Sequence, residues 1–197
     1  MSMTQPPLTI LDAPAVERVL RRMATEIAER HTAIDKLAFI GLHTRGIPLA
    51  QRLIKMLQSL DGGKREIPLG VLDTSFYRDD SAQSLRLPQH SETPFCLEEK
   101  NVILVDDVLF TCRTARAALD ALIDMGRPPR VEFAVLIDRG GRQLPIRADY
   151  VGREVAVRED ERVAVHLTEA DGRDEVQVVA LRASLESKQS LKYKEAA

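Results

Sequence analysis

The sequence predicts an α/β domain on a mainly parallel central sheet flanked by helices, and three observations carry that expectation. Short apolar runs alternate along the chain with longer stretches of helical periodicity, the order expected when strands are joined by crossover helices. The run at 102–105 is continuous rather than alternating, as in a strand covered on both faces, and the short apolar runs at 37–42 and 131–137 read as further buried strands. The chain has 197 residues, enough for one sizeable core without disulfide or metal staples.

The elements follow in order. Asp12 before Ala13-Pro14 reads as an N-cap with proline in the first turn. Val16, Leu20, Met23 and Ile27 then recur at steps of four and three, one helical stripe, with Arg18, Arg21, Arg22, Glu26 and Arg30 on other faces. Leu37–Leu42 is a buried strand ending in the turn His43-Thr44-Arg45-Gly46. Pro48 opens a second helix, whose apolar side is expected at Leu49, Leu53, Met56 and Leu60, and Ile67–Leu72 is the next strand. From Asp73 to Pro94 the pattern dissolves into charge, Ser, Gln and Pro; connections this long are lids, binding loops or disordered. Val102–Val105 is a strand, followed by a short loop and a helix over Ala115–Met125 closed by Gly126 and Pro128. Val131–Ile137 is a further strand. Arg162–Thr168 and Glu175–Leu181 flank Asp171-Gly172, a hairpin turn. The tail beyond Ser184 is polar and expected to fray.

Composition narrows the function classes. Lys plus Arg number 28 against 30 Asp plus Glu, a net charge of -2, which excludes a globally basic nucleic-acid coat but not a local basic patch. Aromatic residues are 4% with no Trp, which argues against a stacking platform for single strands. Two cysteines, Cys96 and Cys112, make no disulfide framework, and neither C-x2-C nor H-x3-H spacing supports structural zinc. His31, His43, His90 and His166 have no metal spacing, and Asp73, Asp79 and Asp80 in the polar loop read equally as solvated charges. No run approaches the roughly 18 apolar residues of a spanning helix, and the segment Met1–Pro7 has no signal-peptide core, so a cytoplasmic location without membrane partners is expected.

The chemistry concentrates at Val102-Ile103-Leu104-Val105-Asp106-Asp107-Val108-Leu109-Phe110-Thr111-Cys112-Arg113-Thr114. Two carboxylates stand at the carboxyl end of a strand, followed by a hydroxyl-bearing turn and a helix start, where open α/β sheets bind ligands. Amides of residues 109–114 at a helix start form an anion cradle, with hydroxyls from Thr111 and Thr114 and charge from Arg113. Asp106 and Asp107 accept hydrogen bonds only, which matches sugar hydroxyls or the waters of a bound magnesium. The loop lacks G-x-x-x-x-G-K-[ST], and no G-x-G-x-x-G follows a strand.

Two acids after four aliphatics, then Thr-x-basic-Thr, resemble the 5-phosphoribosyl-1-pyrophosphate (PRPP) loop of the type I phosphoribosyltransferases. Further segments narrow the likeness: Phe39 to Gly46, Tyr77-Arg78-Asp79-Asp80, Ala118 to Arg127 and Val135 to Tyr150. Together they resemble, colinearly over roughly residues 10–180, the pyrimidine-operon regulator family, uracil phosphoribosyltransferases that also bind leader RNA. The resemblance implies one type I phosphoribosyltransferase domain over 1–184, with a small hood at about 139–160 plus N-terminal elements, a flexible loop at about 73–94 and a polar tail at 185–197. It implies transfer of phosphoribose from PRPP to uracil, giving UMP and pyrophosphate, with Mg2+. Asp106 and Asp107 then hold the ribose hydroxyls, and Val108, Leu109, Phe110, Thr111, Cys112, Arg113 and Thr114 carry the 5-phosphate. Thr44 and Arg45 meet the pyrophosphate, Arg78 closes over it, and Arg139 lies on the side of the base. No direct metal ligand is assigned.

The same resemblance places an RNA surface on Arg18, Arg21, Arg22, Arg30, Arg142, Arg147 and Arg153, and implies a homodimer or larger homo-oligomer. Without it, these arginines read as an ordinary solvated helix face. Three departures stand out. Cys112 replaces the glycine of the family's Thr-Gly-Arg-Thr loop, where a side chain crowds the cradle or strains the turn, and weakened transfer is expected. A thiol beside Arg113 and a helix start also carries the signature of a lowered pKa and a redox sensor, although a tolerated substitution is the plainer reading. Gly141 stands where the family commonly has histidine, and Val155–Arg162 is acidic (Glu159, Asp160, Glu161) where the family shows a Pro-Thr-Ser-Lys-like stretch. Two other readings therefore stay open: an RNA-binding nucleotide sensor whose transferase activity is weakened or lost through Cys112, and a phosphoribosyltransferase for another base with no RNA role.

Overall fold

A computed structural model describes residues 6–63, 65–74 and 91–181. The chain divides into two compact units, residues 17–155 and residues 1–16 with 156–197.

The larger unit is built on a five-stranded, wholly parallel sheet, β2 (Leu37–Leu42), β3 (Leu69–Leu72), β4 (Asn101–Leu109), β5 (Arg130–Asp138) and β6 (Tyr150–Glu154), in the order β3-β2-β4-β5-β6. Leu37, Ala38, Phe39, Ile40 and Leu42 of β2 and Val102 to Val105 of β4 are buried, as continuous apolar runs require. Helices α2 (Gly46–Leu60) and α3 (Arg113–Met125) belong to this unit together with most of α1 (Ala13–Arg30). The expected α1 stripe of Val16, Leu20, Met23 and Ile27 is buried throughout. Asp12 Oδ1 accepts the Ala15 N–H at 2.9 Å, the N-cap that the sequence announces.

Several expectations need correction. The buried side of α2 is Leu49, Leu53, Ile54 and Leu57, whereas Leu60 is exposed and Met56 only half-buried. A wide apolar face centred on the i, i+4, i+8 row leaves residues 56 and 60 at its flank. β3 starts at Leu69 because Pro68 has no N–H to give a ladder; its carbonyl accepts the Phe39 N–H at 2.9 Å. β4 does not end at Val105 but runs through both acids, pairing Val108 with Ile137 and Leu109 with Asp138. Polar residues at a strand's end break the apolar pattern without breaking the ladder. α3 starts at Arg113 rather than Ala115, and β6 is a strand that the apolar pattern did not mark.

The smaller unit is an antiparallel sheet of β1 (Leu8–Leu11), β8 (Glu175–Ala180) and β7 (Glu161–His166), in the order β1-β8-β7. β7 and β8 form the expected hairpin, but a short helical turn, α4 (Thr168–Asp171), intervenes before Gly172 at φ 73°. β1 was not expected, because four residues are too few to show a period.

Candidate active site

The strand order reverses direction between β2 and β4: the chain goes from β2 out to β3 and returns to β4 on the other side. Ligands bind outside the carboxyl ends of strands at such a point. The loops leaving β2 and β4 are the ones that carry Thr44-Arg45 and residues 110–114.

Gly46 brings these loops together. A Cβ there would overlap the Val105 carbonyl oxygen, so the start of α2 touches the β4 backbone and only glycine fits. The approach sets the Arg45 charge against Asp107. Thr44 Oγ1 lies 2.9 Å from His43 Nδ1, and the His43–Thr44 peptide is cis. Asp106 is buried, and one of its oxygens accepts the Asp107 N–H at 2.9 Å. Burial pushes the Asp107 carboxyl above its usual range; a hydrogen bond with Asp106, the charge of Arg45 and the Val108 amide oppose that shift. The pair is therefore a preorganised acceptor site within reach of a fixed cation.

Beyond β4 the chain turns through Phe110 and Thr111 to Cys112 at φ 69°, and α3 begins with no side-chain cap from that residue. A cavity of about 100 Å³ opens here, lined by Asp106, Val108, Leu109, Phe110, Thr111, Cys112, Thr114, Ala115 and Phe133. Thr111 and Thr114 stand at the wall of this small cavity beside the first turn of α3, where the Arg113 N–H donates to Thr111 Oγ1 at 3.4 Å; a helix start of this kind suits an anion. Cys112 is buried in the apolar cluster, with its thiol donating to the Ile146 carbonyl at 3.4 Å. Burial pushes that thiol up rather than down, which corrects the redox-sensor expectation: a helix start does not activate a thiol that has been taken out of water.

Arg139 follows β5, and its N–H donates to the Leu109 carbonyl at 3.0 Å. Its guanidinium carbon lies 3.8 Å from the centre of the Phe110 ring. Its buried Nε has no hydrogen-bond partner among the described residues. Gly141 has φ 75°, and a Cβ there would meet Phe110 Cε2 at 2.7 Å. A histidine at 141 would drive the ring off Arg139, so the glycine and the Phe110–Arg139 stack belong together.

The structure thus gathers Thr44, Arg45, Asp106, Asp107, residues 108–114 and Arg139 along one edge of the parallel sheet. Arg78, with Tyr77, Asp79 and Asp80, lies outside the described residues. Asp138 was missed from sequence: it ion-pairs with Arg142 and accepts the Gly140 N–H at 2.9 Å. A carboxylate ending a buried strand before Gly-Gly was its available signal. Among the described residues no group of three or more His, Cys, Asp or Glu side chains could hold a metal ion.

The arginines of the expected RNA surface fall into three sets. Arg22 donates to the carbonyls of Val151 and Gly152 at 2.8 and 2.6 Å, and Arg30 to that of Asp149 at 3.3 Å while lying 4.8 Å from the Tyr150 ring centre. These contacts draw the arginine-bearing face of α1 onto the strand that carries Arg153. Arg142 and Arg147 lie on the segment between β5 and β6, and Arg18 stands one turn before Arg22. Arg21 instead pairs with Glu17 at 2.7 Å and lines a groove with Arg52, Lys55 and Met56.

Comparison with known proteins agrees with this geometry. The phosphoribosyl transferase domain family matches residues 8–169. "Bifunctional protein PyrR" of Deinococcus radiodurans is 52% identical over 178 residues, covering 89% of this chain and 96% of the relative. The protein of the same name from Thermus thermophilus is 51% identical over 171 residues, covering 86% and 93%. Among solved structures, the hypoxanthine phosphoribosyltransferase of Trypanosoma cruzi in complex with the product IMP superposes with a TM-score of 0.71 over 96% of this chain and 98% of that one. At 15% identity, that likeness concerns the fold alone. With a parallel sheet, a phosphate-type loop and relatives at half identity along nearly their whole length, the chain belongs to the PyrR family of phosphoribosyltransferases.

Proposed function

We propose that this protein transfers phosphoribose from PRPP to uracil, giving UMP and pyrophosphate, and regulates pyrimidine biosynthetic genes by binding leader mRNA under the control of uridine nucleotides. One observation carries the reading: the Asp106–Asp107 pair and the anion loop meet Arg45 at the switch point of a parallel sheet, in a chain of this family.

The roles follow from chemistry. Uracil N1 bonds to the anomeric carbon as the bond from that carbon to pyrophosphate breaks, and the N1 proton is lost. The sugar becomes cationic on the way, so the protein mainly orients reactants and stabilises the departing anion. Asp106 and Asp107 accept from the ribose hydroxyls. The loop over 108–114 holds the 5-phosphate. Thr44 and Arg45 take the pyrophosphate side, with Arg78 from the long loop closing over it and excluding water. Arg139, with its orphaned Nε and its stack on Phe110, faces the base. Phosphoribosyltransferases in general use Mg2+ with PRPP, and two adjacent acids fit an ion held by one or two carboxylates plus substrate phosphates. Asp106 and Asp107 would hold it through its waters, and it would neutralise the leaving pyrophosphate.

The arginines of α1 and of residues 142–153 contact RNA phosphates and unpaired bases. The protein works in the cytoplasm as a homodimer or larger homo-oligomer. The reading in which Cys112 abolishes transfer is not favoured, since the sulfur is absorbed by the core.

Radiolabelled uracil supplied with PRPP and Mg2+ tests the enzymatic half. Labelled UMP is expected, and Asp107→Asn should lower kcat/KM about 10- to 100-fold, the loss of one charge-assisted hydrogen bond. Conversion of hypoxanthine but not uracil would contradict the substrate assignment.

A further inference from the structure

Four contacts run between the loop after β4 and the segment after β5. The Arg139 N–H donates to the Leu109 carbonyl at 3.0 Å, and the Gln143 N–H to the Thr111 carbonyl at 3.2 Å. Arg113 Nε donates to Gln143 Oε1 at 3.2 Å, and the Cys112 thiol to the Ile146 carbonyl at 3.4 Å. Leu144 and Ile146 pack on the apolar cluster that contains Cys112. Contacts therefore reach Leu109, Thr111, Cys112 and Arg113, and they come from one short stretch between β5 and β6. Its own shape is set by Gly140 and Gly141 at φ 70° and 75°, and by the Arg142–Asp138 pair at its start.

An anion loop binds through the aim of its amides, and Cys112 occupies the most demanding position in it, left-handed without being glycine. A glycine there would leave this turn freer to move. Cys112 spends its side chain on the segment opposite.

We infer that residues 139–146 brace the phosphate loop and that Cys112 is a positioning residue, tying the loop's left-handed turn to that brace through the Ile146 carbonyl. This rests on the reading of residues 108–114 as the 5-phosphate site. Through Gln143 and Ile146 the brace sets the affinity for the phosphate group, and these contacts, unlike Arg139, have little bearing on the nucleoside part of the ligand.

The test compares the dissociation constants of UMP and uridine, obtained by competition, for the wild type, Cys112→Ala, Cys112→Ser and Gln143→Ala. The wild type should prefer UMP strongly. In Cys112→Ala that preference should fall about five-fold, almost wholly through UMP. Cys112→Ser keeps a donor for Ile146 and should recover most of the loss. Gln143 is exposed, so Gln143→Ala leaves folding untroubled; it should lower the preference about two-fold. A UMP-to-uridine preference unchanged in both Cys112→Ala and Gln143→Ala, even with a lowered melting temperature, would make the contacts merely structural and overturn the brace. A wild type that binds uridine as well as UMP would instead overturn the phosphate-site reading beneath it.

Discussion

At Cys112 two effects of opposite sign meet. Its φ of 69° strains any residue with a Cβ by roughly 1–2 kcal/mol, while its buried sulfur contributes packing of about 1 kcal/mol. Cys112→Ala keeps the strain and loses the packing, so it should destabilise by about 1 kcal/mol. Cys112→Gly loses the packing and relieves the strain, and should melt at or above Cys112→Ala in thermal unfolding. Alanine markedly more stable than glycine would contradict the left-handed turn. The sequence showed that this position departs from the family glycine, but not where the thiol goes. Its partner is the carbonyl of Ile146, a backbone group 34 positions away that side-chain identities do not announce.

At the scale of elements, a buried polar cluster joins the end of α1 to β5 and β6, far along the strands from the carboxylate pair. His31 Nε2 lies 2.6 Å from Glu132 Oε2, Tyr150 donates to the same oxygen at 2.8 Å, and Arg130 lies 2.7 Å from Oε1. Arg30 covers the Tyr150 ring. Burial raises the Glu132 carboxyl, but hydrogen bonds from His31 and Tyr150 and the charges of His31 and Arg130 outweigh it, leaving its pKa below the ordinary 4.5. A carboxyl lowered in the folded state stabilises above its unfolded pKa, and that stability is lost as pH falls through the folded value. Glu132→Gln should therefore cost about 3 kcal/mol at pH 7, the usual cost of breaking a buried pair, and should flatten the decline of stability below about pH 4.5. Urea unfolding at pH 7 and pH 4 reads both effects; equal stability of wild type and variant at pH 7 would contradict this. Here too legibility was partial. Asp12, the α1 stripe and β2, β4 and β5 were readable because periodicity and capping are local. Glu132 inside a buried strand was not, since its partners come from residues 31 and 150. β1 and β6 were missed because short strands make their ladders with distant partners.

For the whole molecule, the net charge of -2 takes on a different meaning once the arginines are placed. Arg22 and Arg30 bring α1 to the strand leading to Arg153, while Arg21 turns to the groove with Arg52 and Lys55. On the proposed arginine surface, RNA binding is a matter of local geometry rather than net charge, still steeply dependent on salt. Arg21→Ala should accordingly weaken RNA binding less than Arg22→Ala, as titrations at one salt concentration would show; the reverse order would relocate the surface. The family resemblance alone proposes this surface; composition excludes a globally basic coat and leaves a local basic patch open. The central claim is that one chain both makes UMP and reads RNA under the control of that nucleotide. The most direct test is a gel shift with a pyrimidine-operon leader RNA, with and without UMP, at two salt concentrations. The account predicts specific binding that tightens with UMP and weakens with salt; binding no stronger than to an unrelated RNA, with or without UMP, would contradict it.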